Sequence, residues 1–144
     1  MTPDVNVLVA ASRQDHPHHQ SALAWLEKAL ADAADGAPFV VMPMVLASVL
    51  RLLTHPRIFV QPTPIQHAIA FLDAVLAAPG VILSNHGPEW PKLRQLCLDG
   101  NLHGNDLPAA WLAAAVEHQG EHLVTFDRDF RKLLGSARFT LLRG

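Results

Sequence analysis

The sequence predicts an α/β protein, a three-layer arrangement with a mostly parallel central sheet of about four to five strands flanked by helices. Three observations carry this. Short, continuous apolar runs recur at Phe39-Val40-Val41-Met42, at Val81-Ile82-Leu83 and within residues 121–126, and such runs suit strands buried on both faces. Between them lie longer segments with apolar residues at helical spacing, and strands alternating with helices imply parallel crossovers. The chain has 144 residues, half of them apolar, enough for a single domain, residues 1–144, that buries about two thirds of its unfolded surface.

The elements follow in order. Residues 2–5 make a short strand leading into a helix through Val7-Leu8-Val9-Ala10-Ala11. Asp15 caps a long amphipathic helix that tolerates Pro17 in its first turn, turns Leu23, Leu26, Ala29, Leu30 and Ala33 inward, and ends at Gly36. After the Phe39 strand, Pro43 opens a helix with the inner stripe Leu46, Val49, Leu50 and Leu53, and Thr54-His55-Pro56 stops it. Thr63-Pro64-Ile65-Gln66 reads as a capping box, followed by an inner face of Ile65, Ile69, Leu72 and Leu76. Val81-Ile82-Leu83 is a second buried strand, and residues 88–98 form a helix interrupted early by Pro91 and ended near Gly100. Asn101-Leu102-His103-Gly104-Asn105 is a loop, and Asp106 opens a helix with the stripe Leu107, Ala110, Trp111, Ala114 and Ala115. Residues 121–126 are a strand, 127–134 a short helix and 138–142 a terminal strand.

Composition narrows the function classes. The lone Cys97 lies in an apolar helical pattern, as a small core residue does. Met1-Thr2-Pro3-Asp4 has no basic start of the signal-peptide kind, and no stretch approaches the ~18 to 20 apolar residues of a membrane span. A cytoplasmic protein is expected. A net charge of −2 argues against a large basic surface but permits a local one. His16, His18 and His19 cluster at a helix start, where close spacing turns rings away from a common zinc. His103 is kept as a candidate for touching substrate because it closely precedes Asp106. Trp25, Trp90 and Trp111 keep helical spacing to apolar neighbours and read as core or dimer surface. No Ser-His-Asp set with a nucleophile elbow and no phosphate-cradling glycine loop is present.

The chemistry lies in the acidic residues. In a parallel sheet, ligands bind beyond the carboxyl ends of the strands. Asp4 ends the first strand, Asp127 follows the fourth, and Asp106 starts the helix that feeds it, so the three share one edge, with Asp129 close by. Carboxylates ~4 to 6 Å apart repel by roughly 3 to 4 kcal/mol per pair at an effective dielectric near 20. A divalent cation removes that penalty and can polarise a phosphate and activate a water. Each Asp taken alone also reads as a helix cap or a solvated loop residue.

Four segments, in order along nearly the whole chain, resemble the PIN domain: Pro3-Asp4-Val5-Asn6-Val7-Leu8; Ala47-Ser48-Val49-Leu50-Arg51 with Thr54-His55-Pro56-Arg57-Ile58-Phe59; Gly104-Asn105-Asp106-Leu107; and Val124-Thr125-Phe126-Asp127-Arg128-Asp129-Phe130. Among PIN domains they are similar to VapC-type toxins of bacterial toxin–antitoxin pairs. The resemblance implies a Mg²⁺- or Mn²⁺-dependent endoribonuclease, dimeric and silenced by a small antitoxin. By the same resemblance Asp4, Asp106 and Asp127 are the catalytic, metal-holding carboxylates, Asp129 a further metal-site acid, and Asn6 the polar residue that steadies Asp4. The departure is Ser48, which stands where the family usually has Glu.

Losing that carboxylate favours one metal ion over two, and leaves open an alternative reading as a weak or inactive PIN-fold module that binds antitoxin or RNA without cutting. A phosphatase with Asp4 as nucleophile is a weaker third reading, because the second Asp it commonly needs is Asn6. Cations must offset repulsion between an acidic cleft and RNA, and the candidates are Arg13, Arg51, Arg57, Arg128, Arg131 and Lys132. Apolar residues beyond the needs of a small core, among them Trp25, Leu52, Ile58 and Phe59, predict a homodimer and an antitoxin groove.

Overall fold

A computed structural model describes residues 1–144. In chain order the elements are β1 (Thr2–Pro3), α1 (Val5–Ser12), α2 (His19–Ala34), β2 (Phe39–Val41), α3 (Pro43–Leu53), α4 (Ile65–Ala77), β3 (Val81–Leu83), α5 (Trp90–Gly100), a 3-10 turn (Gly104–Asp106), α6 (Leu107–His118), β4 (Leu123–Thr125), 3-10 turns at Arg128–Lys132 and Ser136–Arg138, and β5 (Phe139–Leu141). All strand pairs are parallel. They form two ladders, β1-β4-β5 and β2-β3, whose seam is bridged where Val40 N–H donates to the Met1 carbonyl at 2.9 Å. The order across both is therefore β3-β2-β1-β4-β5, with every strand ending at the same edge.

The core is one apolar cluster. It joins α1, where Val7 to Ala11 are all buried, to the fully buried strands β2 and β4 and the inner faces of α3 and α6. α1 is buried all round because it lies between α2 and α3 as well as against β4, which explains its lack of a polar face.

Four local expectations are corrected. α2 begins at His19, not at Asp15, because the Asp15 carboxylate is drawn into a two-point contact with Arg13 at 2.7 and 2.9 Å. α4 starts at Ile65 without a side-chain cap, since the Thr63 hydroxyl accepts from Arg13 instead. Its buried stripe is Ala68, Leu72 and Val75 rather than Ile65, Ile69, Leu72 and Leu76, which leaves Ile65 and Ile69 each 43% exposed. β3 is an edge strand with Ile82 and Leu83 at the surface rather than buried on both faces. It is entered through Gly80, whose φ of 84° and closeness to the Ala33 carbonyl exclude any side chain.

Candidate active site

Asp4 lies one residue beyond β1 and caps α1. Its backbone N–H extends the ladder to the Val124 carbonyl at 2.8 Å, and its Oδ1 accepts from Val5 N–H at 2.7 Å. Its Oδ2 accepts from the Thr125 hydroxyl at 2.6 Å. That hydroxyl in turn accepts from Asp127 N–H at 2.9 Å and from Asn6 Nδ2 at 3.3 Å. One donor and two acceptor bonds exhaust a threonine hydroxyl, so its proton must point at Asp4. Asn6 Oδ1 completes the bracket by accepting from Phe126 N–H at 3.3 Å. Asn6 thus steadies Asp4 only through Thr125.

Burial pushes the Asp4 carboxyl above its ordinary 3.8. The bonds from Thr125 and Val5 pull it back down, and the charge of Asp127 raises it again. Asp127 is half-buried, and its Oδ1 accepts from Asp129 N–H at 2.8 Å, which opens the following 3-10 turn.

Asp4 and Asp127 face one cavity of about 560 Å³ at the carboxyl edge of the sheet. Ser48 of α3 lines the same cavity, together with Met44 and Val45 from its first turn, Leu107, Pro108 and Trp111 from α6, and Phe130. Asp106 does not converge on it. Its Oδ2 accepts from His103 N–H at 3.2 Å and lies 3.8 Å from His103 Nδ1, and the side chain is half exposed. The Asp129 carboxylate is also at the surface. No three acidic, histidine or cysteine side chains meet at one point. A buried carboxylate, a second one close enough to repel it, and a neighbouring hydroxyl fit a hard cation by donor type.

Of the sequence-predicted cations, Arg13 is committed to the fold. Its guanidinium holds Asp15, the Gln61 carbonyl and the Thr63 hydroxyl, and it lies 3.9 Å from the centre of the Phe59 ring. Arg51, Arg57, Arg128, Arg131 and Lys132 are exposed. Among the histidines, His16 Nδ1 accepts from His18 N–H and His19 Nδ1 donates to the Ala10 carbonyl, so the three form no ligand set.

Two contributors escaped sequence reasoning. Thr125 is the first, and the signal was a hydroxyl closing an otherwise apolar strand at the active edge. The second is Glu89, which is only 3% exposed. Its Oε1 accepts from the cavity-lining Trp111 Nε1 at 2.7 Å and its Oε2 from Gly87 N–H at 2.8 Å, while His86 Nε2 accepts from Met44 N–H at 2.8 Å. The segment after β3 thereby fastens both helical walls of the cavity. Burial raises the Glu89 carboxyl, but the bonds from Trp111 and the backbone, with His86 nearby, outweigh it and hold the group below its ordinary 4.5.

Residues 1–134 match the family model described as PIN domain. Ribonuclease VapC31 of Mycobacterium tuberculosis is 43% identical over 141 residues, covering 97% of this chain and 93% of the relative. Ribonuclease VapC25 of the same organism is 44% identical over 142 residues, with the same coverage. The chain belongs to the PIN domain family, among its VapC-type members. The VapC-type fold is seen again in a crystal structure of VapBC2 from Rickettsia felis bound to a DNA fragment from their promoter, which matches with a TM-score of 0.68 at 16% identity, covering 99% of this chain and 98% of that one. At that identity the likeness speaks for the fold alone. No helix is long and apolar enough to cross a membrane.

Proposed function

We propose that this VapC-type chain is a Mg²⁺- or Mn²⁺-dependent endoribonuclease, the toxin of a toxin–antitoxin pair, held inactive by a small antitoxin protein and working as a homodimer. The observation that carries the reading is the pairing of Asp4 and Asp127 at one open cavity, with the Thr125 proton directed at the buried Asp4 carboxylate. Asp4 and Asp127 would hold the cation. Asp106, one residue before the cavity-lining Leu107, would join them on releasing His103 N–H. Bound there, a divalent ion supplies Lewis acidity towards phosphoryl oxygens and lowers the pKa of water. The chain's own part is to fix the two carboxylates, to present Ser48 beside them, and to shape an apolar wall that limits water. The ribonuclease names of relatives similar over nearly the full length support RNA as substrate, and the VapBC2 assembly supports an antitoxin partner.

Two features favour a second reading: Ser48 lines the cavity where the family resemblance implies a carboxylate, and Asp106 is turned to His103 N–H, which suits a module that binds without cutting. Incubating total RNA with the chain, with and without Mn²⁺ and beside Asp4→Asn, separates the two. Mn²⁺-dependent cleavage lost in the variant supports the enzyme, and intact RNA under all conditions supports the binding module.

A further inference from the structure

A second cavity, of about 450 Å³, opens beside the first and has the opposite electrostatic character. Arg128, Arg131 and Arg143 line it, together with the stacked rings of His18 and Phe126 and the side chain of Leu141. The two rings lie 4.6 Å apart and 15° from parallel. None of the lining residues carries an acidic side chain. The ion pairs of the molecule involve Met1, Arg13, Lys28, His86, Lys92 and His103, so all three guanidiniums are free of carboxylates. Three unpaired cations around one concavity repel one another. Even with a terminal carboxylate at Gly144 on the rim, positive charge is in excess.

The two cavities meet at one point in the chain. Asp127 has extended geometry, φ −92° and ψ 115°, and successive side chains of extended backbone point to opposite sides. Asp127 accordingly faces the acidic cavity while Phe126 faces the basic one, and Arg128 follows on the basic side. The basic wall is also held in place. Ser21 Oγ donates to the Arg143 carbonyl at 2.8 Å, and Leu142 N–H donates to the Thr125 carbonyl at 2.8 Å, tying the C-terminal segment to the strand that carries the acidic site.

We propose that this cavity is the docking site for RNA phosphates flanking the scissile one, with Arg128, Arg131 and Arg143 as its cationic wall. The strand crosses the sheet edge at Asp127, one phosphodiester meeting the carboxylate side while its neighbours meet guanidinium forks, which match phosphate oxygens in pairs. The single-stranded form is the one that can follow such a bend, and affinity rests on charge rather than on base identity. The inference rests on the RNA-cleaving reading above. It adds Arg143, His18 and Phe126 to the substrate path and removes Arg13 from it.

The test uses a fluorescein-labelled single-stranded RNA of mixed sequence, titrated with the full chain in EDTA at several NaCl concentrations. Wild type is compared with Arg131→Gln/Arg143→Gln and with the remote control Lys28→Gln, and each is also assayed for cleavage with Mn²⁺. The expected result is a loss of about tenfold in affinity for the double variant and a salt slope shallower by about 0.7 for each phosphate that is no longer neutralised, with the control unchanged. Cleavage by wild type together with unchanged affinity and slope in the double variant overturns the docking site and leaves the function standing. Absence of both binding and cleavage in wild type overturns both.

Discussion

The Thr125 hydroxyl donates to Asp4 Oδ2 at 2.6 Å across 121 residues of sequence, and the bonds it accepts from Asp127 N–H and Asn6 Nδ2 leave its proton no other direction. Thr125→Val removes the donor from a buried carboxylate and the acceptor from Asp127 N–H and Asn6. A loss of about 1 to 3 kcal/mol in unfolding free energy is expected. Thr125→Ser, which keeps the hydroxyl, recovers most of it, and urea unfolding of the three proteins checks both outcomes.

The two carboxylates should respond differently to neutralisation. Like-charge repulsion alone predicts that Asp4→Asn stabilises the cation-free protein. The hydrogen-bond directions reverse this, because Val5 N–H and the Thr125 O–H both donate to position 4 and an amide must turn its NH₂ towards one of them. Asp4→Asn is expected to destabilise by about 1 to 3 kcal/mol. Asp127→Asn keeps the acceptor for Asp129 N–H and relieves repulsion on Asp4, so it stays within about 0.5 kcal/mol of wild type. Both should abolish Mn²⁺-dependent RNA cleavage. Thermal melts in EDTA that rank the two variants the other way refute the bond assignment.

Ser48 lines the same cavity as Asp4 and Asp127, so Ser48→Glu places a third carboxylate there. Isothermal titration should show tighter Mn²⁺ binding, at a cost of roughly 1 to 3 kcal/mol in cation-free stability at an effective dielectric near 20. No gain in affinity would mean that the added side chain turns to solvent and that α3 contributes only a wall.

Glu89 sets a pH dependence of known sign. Its carboxyl is held below the ordinary 4.5 by Trp111 and the backbone, so its contribution is present above that value and fades as pH falls through the lower folded-state value. Asp4 has the reverse sign: its raised carboxyl costs stability as pH climbs above 3.8. Comparing wild type with Glu89→Gln isolates the first effect. The variant should be less stable by about 1.5 to 3 kcal/mol at pH 7, with the gap closing below pH 4.5, in thermal melts from pH 3 to 7. A gap independent of pH would show that packing rather than charge is what Glu89 supplies.

Surface apolar residues predict self-association. Of the residues first suspected, Trp25 packs on Phe39, Phe59 lies under Arg13 and Leu52 is half-buried, which leaves Ile58 exposed. Val60 is fully exposed, and Ile65 and Ile69, one turn apart on α4, add to it. Light scattering of wild type should give a dimer mass and that of Val60→Asp/Ile69→Asp a monomer mass; a wild-type monomer at high concentration overturns the expectation.

The existence and order of the elements could be read from the sequence because apolar runs and helix punctuation are local signals. Which face of α4 is buried could not, since the small Ala68 packs inward in place of larger isoleucines, a choice made by neighbouring helices. The exposure of β3 follows from its place at the sheet edge, which no local pattern reports. Sequence placed Asp4, Asp106 and Asp127 at one edge, and the structure brings only Asp4 and Asp127 to one cavity, because the chain around Asp106 folds back on His103 N–H. The Thr125 and Glu89 bonds span 121 and 22 residues. Pairings at such separations leave no mark on sequence spacing.

The long reach between Asp4 and Thr125 also has a meaning for biosynthesis. At about 5 to 20 residues per second, a ribosome needs roughly 6 to 24 s to go from the first of these residues to the second. Throughout that interval the nascent chain owns Asp4 but neither its proton donor nor Asp127. The acidic pair can assemble only after β4 and Asp127 have been made, so a chain abandoned before β4 carries the first carboxylate and none of the geometry that pairs it with the second.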